Sequence, residues 1–172
     1  SKAEQLFVSY ILDHIKPSGR SGIIVPEGIL ENIDSKGIRQ LRKQIVESGL
    51  FAIVSLPIGV FNPYAKSIKT SILFIDKKTA SKNNSILHYR IDSDGYDLGL
   101  TRKAISSDDL PDALNTIKNF ISNDYSDTNS TQRITLLNKN KIIDNDDISL
   151  CIKDYHDIEI KTKYEIKKFL FL

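Results

Sequence analysis

An α/β fold built on a parallel core is what this sequence predicts, on three observations. Helix-like and strand-like segments alternate through residues 3–56, the pattern of a sheet covered by helices. The run Gly22-Ile23-Ile24-Val25-Pro26 is apolar on both faces, as a strand buried between helix layers is. One loop joins the strand-like residues 50–56 directly to residues 68–76, so that these two can pair antiparallel.

Each element has its own reason. In residues 3–16, Ala3, Leu6, Phe7, Tyr10 and Ile11 recur at i, i+3, i+4, i+7 and i+8, one apolar stripe at helical period and the expected buried face. Pro17-Ser18-Gly19 ends that helix, because proline breaks the hydrogen-bond ladder and glycine takes the exit turn. A second helix is expected over about 35–48, with Ser35 as N-cap, Ile38, Leu41, Ile45 and Val46 inward, and Gly49 after its end. Its outward face would then carry Lys36, Arg39, Arg42 and Lys43, read either as solvated or as touching phosphates. Residues 77–85 read as a polar connector and 86–91 as another strand. Asp92-Ser93-Asp94-Gly95 is a turn signal. Asp108-Asp109 precede a helix reaching about residue 121, with Pro111 in its first turn, where a missing N–H costs nothing. Residues 122–133 read as a polar linker or mobile loop. Residues 134–172 hold short strand-like pieces, then a Lys-rich amphipathic helix ending in Phe169-Leu170-Phe171-Leu172, the ending of a docking or truncated segment.

Composition narrows the function classes. The chain has 172 residues, enough for one domain with a sizeable core. No apolar run approaches the ~18 residues of a membrane span, and no signal-peptide pattern opens the chain. A single cysteine, Cys151, excludes a disulfide framework and fits a reducing compartment. The net charge of +2 conceals an asymmetry: residues 1–78 hold 11 Lys/Arg against 7 Asp/Glu, and residues 79–172 hold 13 against 15. A mildly basic first half is compatible with a polyanion partner without requiring one.

Local patterns with chemical appeal are weak. The run from Asp92 to Asp97 resembles a calcium loop but has its glycine misplaced and lacks the closing glutamate. Asp154, His156 and Asp157 would need further ligands to hold a metal. His14 and His88 read as surface or packed histidines, and Cys151 as a small core thiol. The loop from Pro57 to Ser67 is different. It is longer than a hairpin needs and dense in proline, glycine and aromatics, the character of a functional loop set at a sheet end.

Ordered strings then carry a resemblance. Lys2-Ala3-Glu4-Gln5-Leu6-Phe7-Val8, Pro17-Ser18-Gly19-Arg20-Ser21-Gly22-Ile23-Ile24-Val25-Pro26-Glu27-Gly28, Ser55-Leu56-Pro57-Ile58-Gly59-Val60-Phe61-Asn62-Pro63-Tyr64, Ile68-Lys69-Thr70-Ser71-Ile72-Leu73-Phe74 and Asp94-Gly95-Tyr96-Asp97-Leu98-Gly99 follow one another at matching spacing. Together they closely resemble the N6-adenine DNA methyltransferase family, which includes the modification subunits of type I restriction systems, over roughly residues 1–121. The resemblance implies the C-terminal half of a class I S-adenosylmethionine-dependent methyltransferase fold, with a small α+β extension. Residues 1–78 would supply the last three strands of the catalytic domain, the final one inserted antiparallel between the other two. Residues 79–121 would be a strand-turn-helix extension.

The family's glycine-rich cofactor motif and its Asn-Pro-Pro-Phe/Tyr motif do not occur in this chain, and Asn62-Pro63-Tyr64 is only an echo of the latter. No catalytic or cofactor-binding residue is therefore expected here, and the chain alone is expected to be inactive. The implied parent flips an adenine out of duplex DNA and methylates N6 from S-adenosylmethionine. By resemblance, Phe61 stands where relatives place an aromatic that stacks on the flipped base, with Pro57 and Gly59 shaping the loop. The alternative is that Phe61 plugs the loop onto the core. Lys66 and Lys69 would meet phosphates, and Tyr64 would pack or stack. The implied partners are double-stranded DNA, a specificity subunit and a restriction subunit, in a prokaryotic cytoplasm and without membrane. The competing readings are a non-catalytic interaction module or a DNA-binding module derived from the same fold.

Overall fold

Residues 2–31, 36–65, 67–123, 125 and 132–155 are described by a computed structural model. In chain order its elements are α1 (Lys2–His14), β1 (Ser21–Pro26), α2 (Gly28–Glu31), α3 (Lys36–Glu47), β2 (Leu50–Ser55), β3 (Thr70–Ile75) and α4 (Lys77–Lys82). They continue as β4 (Ser85–Arg90), β5 (Asp94–Tyr96), β6 (Ala104–Asp108), α5 (Leu110–Ser122), β7 (Ile134–Asn138), α6 (Lys139–Ile143) and a 3-10 turn (Ile152–Tyr155).

Five strands form one mixed sheet in the order β1-β3-β2-β4-β7. β3 lies antiparallel between β1 and β2, so that Leu73 faces Ile23 on one side and Ile53 on the other. This is the inserted last strand that the family resemblance implies. The parallel core is narrower than the alternation of segments suggests: among the described strands only β2 and β4 are parallel neighbours. The reason is topological. The chain leaves β2 and returns without a crossover helix, and β3 takes the place beside β2 that β1 would otherwise fill. β7 closes the far side antiparallel to β4.

Helices cover both faces. Val8 and Leu12 of α1 and Leu41 and Ile45 of α3 pack with Ile23, Leu50, Ile53 and Leu73 on one face. Ala113 and Phe120 of α5 pack with Phe51, Val54, Leu87 and Tyr89 on the other. All six residues of β2 are buried, as expected of the strand held between two layers. Gly49 precedes it at φ +103°, and a Cβ there would stand 2.7 Å from the Lys77 backbone nitrogen, so only glycine lets α3 end against α4.

Several expectations are corrected by packing. The stripe Leu6, Phe7 and Tyr10 is exposed, at 71%, 64% and 60%. A second stripe at the same period, Val8, Ile11, Leu12 and Ile15, takes the sheet instead. Arg42 is fully buried rather than on an outward face. Its Nη2 donates to the Asp147 carbonyl at 2.6 Å and its Nη1 to the Ile29 carbonyl at 3.4 Å, because residues 147–151 fold across α2 and α3. The connector 77–85 contains α4, whose N-cap Asp76 accepts from the backbone of Lys78 and Thr79. Asp109 makes no side-chain cap on α5, and Asp108 accepts from Leu110 N at 2.9 Å in its place. The turn at 92–95 opens a two-stranded hairpin of β5 and β6. Ser35, most of the expected linker and the expected helix over 157–172 lie outside the described residues.

Candidate functional site

In open α/β sheets, ligands meet the fold beyond the carboxyl ends of the parallel strands. Here β2 and β4 end at Ser55 and Arg90, and three structures gather beyond them: the loop after β2, the β5–β6 hairpin, and a small polar cavity.

The loop leaves β2 at Leu56, whose N–H donates to the Thr70 carbonyl at 2.9 Å, and then winds through short turns. Val60 N bonds the Pro57 carbonyl, Asn62 N the Gly59 carbonyl, and Tyr64 N the Phe61 carbonyl. Gly59 has φ +95°, and a Cβ would stand 3.1 Å from Asn62 Nδ2 and 3.4 Å from the Leu98 carbonyl, so the turn requires glycine. The Asn62–Pro63 peptide is cis. Phe61 is half-buried and packs with Val60 on the cluster that includes Leu56 and Ile91. Tyr64, 95% exposed, is free of that packing.

The other expected site residues divide. Pro57 and Gly59 share the loop with Phe61. Lys69 sits where the chain re-enters the sheet, its ammonium 3.1 Å from Glu27. Lys66 lies outside the described residues.

The hairpin was absent from the sequence-based site, yet it grips this loop. Arg102 Nη1 donates to the Gly59 carbonyl at 3.2 Å and to the Val60 carbonyl. Its Nη2 bonds both carboxylate oxygens of Asp94, at 2.7 and 2.5 Å, in an ion pair whose side chains are only 14% and 12% exposed. The guanidinium also lies over the Tyr96 ring, 5.6 Å from its centroid. Beyond Phe61, Asn62 Nδ2 donates to the Leu98 carbonyl at 2.8 Å. The only sequence signal for this clamp is the turn pair Asp94-Gly95 with an arginine eight residues on, a separation too common to read without the fold.

The cavity, about 190 Å³, is lined by Glu27, Ser55, Lys69, His88, Arg90, Arg133, Cys151 and Lys153 among others. Glu27, Glu31 and Cys151 converge to within 4.8 Å, the Cys151 thiol approaching Glu31 at 3.3 Å. Burial pushes that thiol up to about 11, the wrong direction for a nucleophile. The calcium-like run is likewise committed: Asp94 pairs with Arg102, Asp92 with Arg90 and Arg133, and Asp97 accepts from Gly99 N and Lys103 N. His88 is buried in the cavity wall, and His14 stacks on Tyr10 at 4.0 Å. The described arrangement is thus one that presents and orients an aromatic loop.

The chain carries a mixed sheet with an antiparallel strand inserted between two others, and the aromatic loop stands at its end. The fold superimposes on the methyltransferase subunit of a type I restriction-modification system from Streptococcus thermophilus with a TM-score of 0.66 at 21% identity, over 87% of this chain and 30% of that one. The family model for N-6 DNA methylases matches residues 1–163, and the chain belongs to that family. It is 32% identical over 98 residues to the EcoKI methylase subunit of Escherichia coli strain K12, a stretch covering 57% of this chain and 18% of that subunit. It is 40% identical over 79 residues to the EcoEI methylase subunit of Escherichia coli, covering 45% and 15% respectively. The chain thus spans less than a fifth of the curated relatives it matches.

Proposed function

We propose that this chain is the target-base side of a site-specific DNA adenine-N6 methyltransferase, the modification subunit of a type I restriction system. The observation that carries the reading is the placement of the 57–65 loop. A half-buried Phe61 stands at the carboxyl end of β2, on a backbone held from both sides, in a chain of this family. An adenine turned out of the duplex needs an aromatic face, and a base stacked on such a ring gains ~1–3 kcal/mol. Pro57 and Gly59 shape the turn that presents Phe61. Tyr64, fully outside the packing, is the side chain best placed to touch the duplex, with Lys66 as its neighbour in sequence. Lys69 contributes less to phosphate binding, because Glu27 already neutralises it.

S-adenosylmethionine, the methyl donor of this reading, is not matched by the described residues. The enclosed cavity at the strand ends is about 190 Å³, below the roughly 300 Å³ at which small-molecule sites begin. Lys69, Arg90, Arg133 and Lys153 line it, a poor setting for a sulfonium cation. In this reading the cofactor and the group that holds the adenine amine are supplied by other parts of the parent polypeptide. A specificity subunit and a restriction subunit complete the assembly in this reading.

The test is Phe61→Ala in the full-length methyltransferase with its partner subunits. Adenine methylation is expected to fall ~5- to 150-fold, the rate equivalent of ~1–3 kcal/mol of stacking, while cofactor affinity holds. Residues 1–172 alone, run as the control, are expected to transfer no methyl groups. Wild-type turnover by Phe61→Ala removes Phe61 from the pocket, and turnover by the control chain overturns the division of labour.

A further inference from the structure

We propose that Arg102 is a positioning residue for the reaction, setting the pose of Phe61 through the backbone on which Phe61 stands; this rests on the reading of the 57–65 loop given above. The two carbonyls that Arg102 addresses belong to Gly59 and Val60, the residues immediately before Phe61. The residue immediately after, Asn62, is held by the Leu98 carbonyl of the same hairpin at 2.8 Å. Phe61 therefore sits between two tethers to one structure.

That structure is itself anchored. Asp109, at the start of α5, accepts from Asp92 N and Ser93 N at 2.9 Å each, and Asp109 N returns a bond to the Ser93 carbonyl at 2.8 Å. Ser93 Oγ donates across the hairpin to the Ser107 carbonyl at 2.5 Å. Asp94 then orients Arg102 by accepting from Nη2 with both oxygens, and the Tyr96 ring supports the guanidinium from below. An arginine suits the position because its planar fork serves the carboxylate with one nitrogen and the carbonyls with the other. A lysine ammonium is a single point charge that cannot span both. Catalysis is sensitive to this kind of placement, since a displacement of about 1 Å at a distance from the chemistry can cost ~100-fold in rate.

The experiment uses the full-length methyltransferase in its assembled complex, with Arg102→Met, Arg102→Lys and, in parallel, Phe61→Ala. Four quantities are read: kcat, the KM for DNA, cofactor affinity, and the emission of 2-aminopurine placed at the target base. Both Arg102 variants are expected to lose ~10- to 100-fold in kcat and to show 2-aminopurine emission changed from wild type in the same direction as Phe61→Ala, with cofactor affinity unchanged. Arg102→Lys, which keeps charge and bulk, is expected to retain the wild-type thermal midpoint and still to lose rate. A merely structural role predicts the reverse, with loss of midpoint and cofactor affinity together and rescue by lysine. Wild-type kcat in Arg102→Lys overturns the proposal, whether or not Arg102→Met folds. If Phe61→Ala is slow and the Arg102 variants are not, the brace falls and the stacking role stands. If Phe61→Ala turns over at the wild-type rate, the reading of the loop falls first.

Discussion

Arg42 shows how a single residue can leave the role its spacing suggests. It occupies a helix position flanked by Arg39 and Lys43, both of which reach solvent, yet it is fully buried. Desolvation lowers its pKa, opposed by the nearby Asp147 carboxylate. Two of its carbonyl partners, on Ile29 and Asp147, come from two segments that also meet directly, through Leu150 N and the Leu30 carbonyl at 3.0 Å. Arg42→Ala leaves those carbonyls without their donor and opens a void, and is expected to cost about 3 kcal/mol of folding stability. Arg42→Met, which keeps the apolar stem, is expected to cost less. Urea unfolding of the two variants measures this, and a change below ~0.5 kcal/mol for alanine would show that water replaces the guanidinium.

Among the elements, the hairpin of β5 and β6 depends on one carboxylate more than on its own strands. Every described residue of β6 is exposed, so the hairpin has little core of its own. Asp109 ties it to α5 and β7, and Arg133 meets the same carboxylate at 2.6 Å. Burial alone would raise the Asp109 pKa; the N–H groups of Ser93 and Asp92 and the Arg133 charge outweigh it, and the net shift is downward. Asp76, which caps α4, is lowered in the same way: burial opposes, and the hydrogen bonds from Thr79 and Lys78 and the Arg20 charge prevail. A depressed carboxylate stabilises the fold in full above the unfolded value of about 3.9 and loses that contribution as pH falls through the folded value. Stability is therefore expected to be flat from neutral pH down to about 5 and to fall below about 4. Asp109→Asn is expected to lower stability at neutral pH and to flatten part of the acid limb. Denaturation midpoints across that range decide it, and an unchanged limb would place the acid sensitivity elsewhere.

At the scale of the whole molecule, the sheet ends at β1 on one side and β7 on the other. Leu6, Phe7 and Tyr10 of α1 are exposed, and Ile24 of the edge strand β1 is half-exposed. Open strand edges and exposed apolar side chains each favour association. Residues 1–172 expressed alone are accordingly expected to sediment with a concentration-dependent mass, and Phe7→Glu to shift that equilibrium toward monomer. A concentration-independent monomer would mean that this face is tolerated in water as it stands. Among the described residues no helix is long and apolar enough to cross a membrane.

What the chain determines by itself is local and periodic. The strands 21–26, 50–55, 70–75 and 85–90, the helices α3 and α5, and the turn-rich character of the loop around Phe61 all follow from apolar spacing, caps and the conformational needs of proline and glycine. The insertion of β3 came through motifs shared with a family, because antiparallel pairing alone does not say on which side of β2 the strand returns. The rest was decided by tertiary structure. Two stripes of equal period competed on α1, and only the sheet's position chose between them. Arg42 could be assigned inward only once residues 147–151 covered it. The clamp on the Phe61 loop joins residues 36 to 43 positions apart through a backbone carbonyl, a guanidinium and a side-chain amide. Carbonyls carry no identity in a sequence, and a contact made to one becomes legible only when folding has brought its partner within hydrogen-bonding distance.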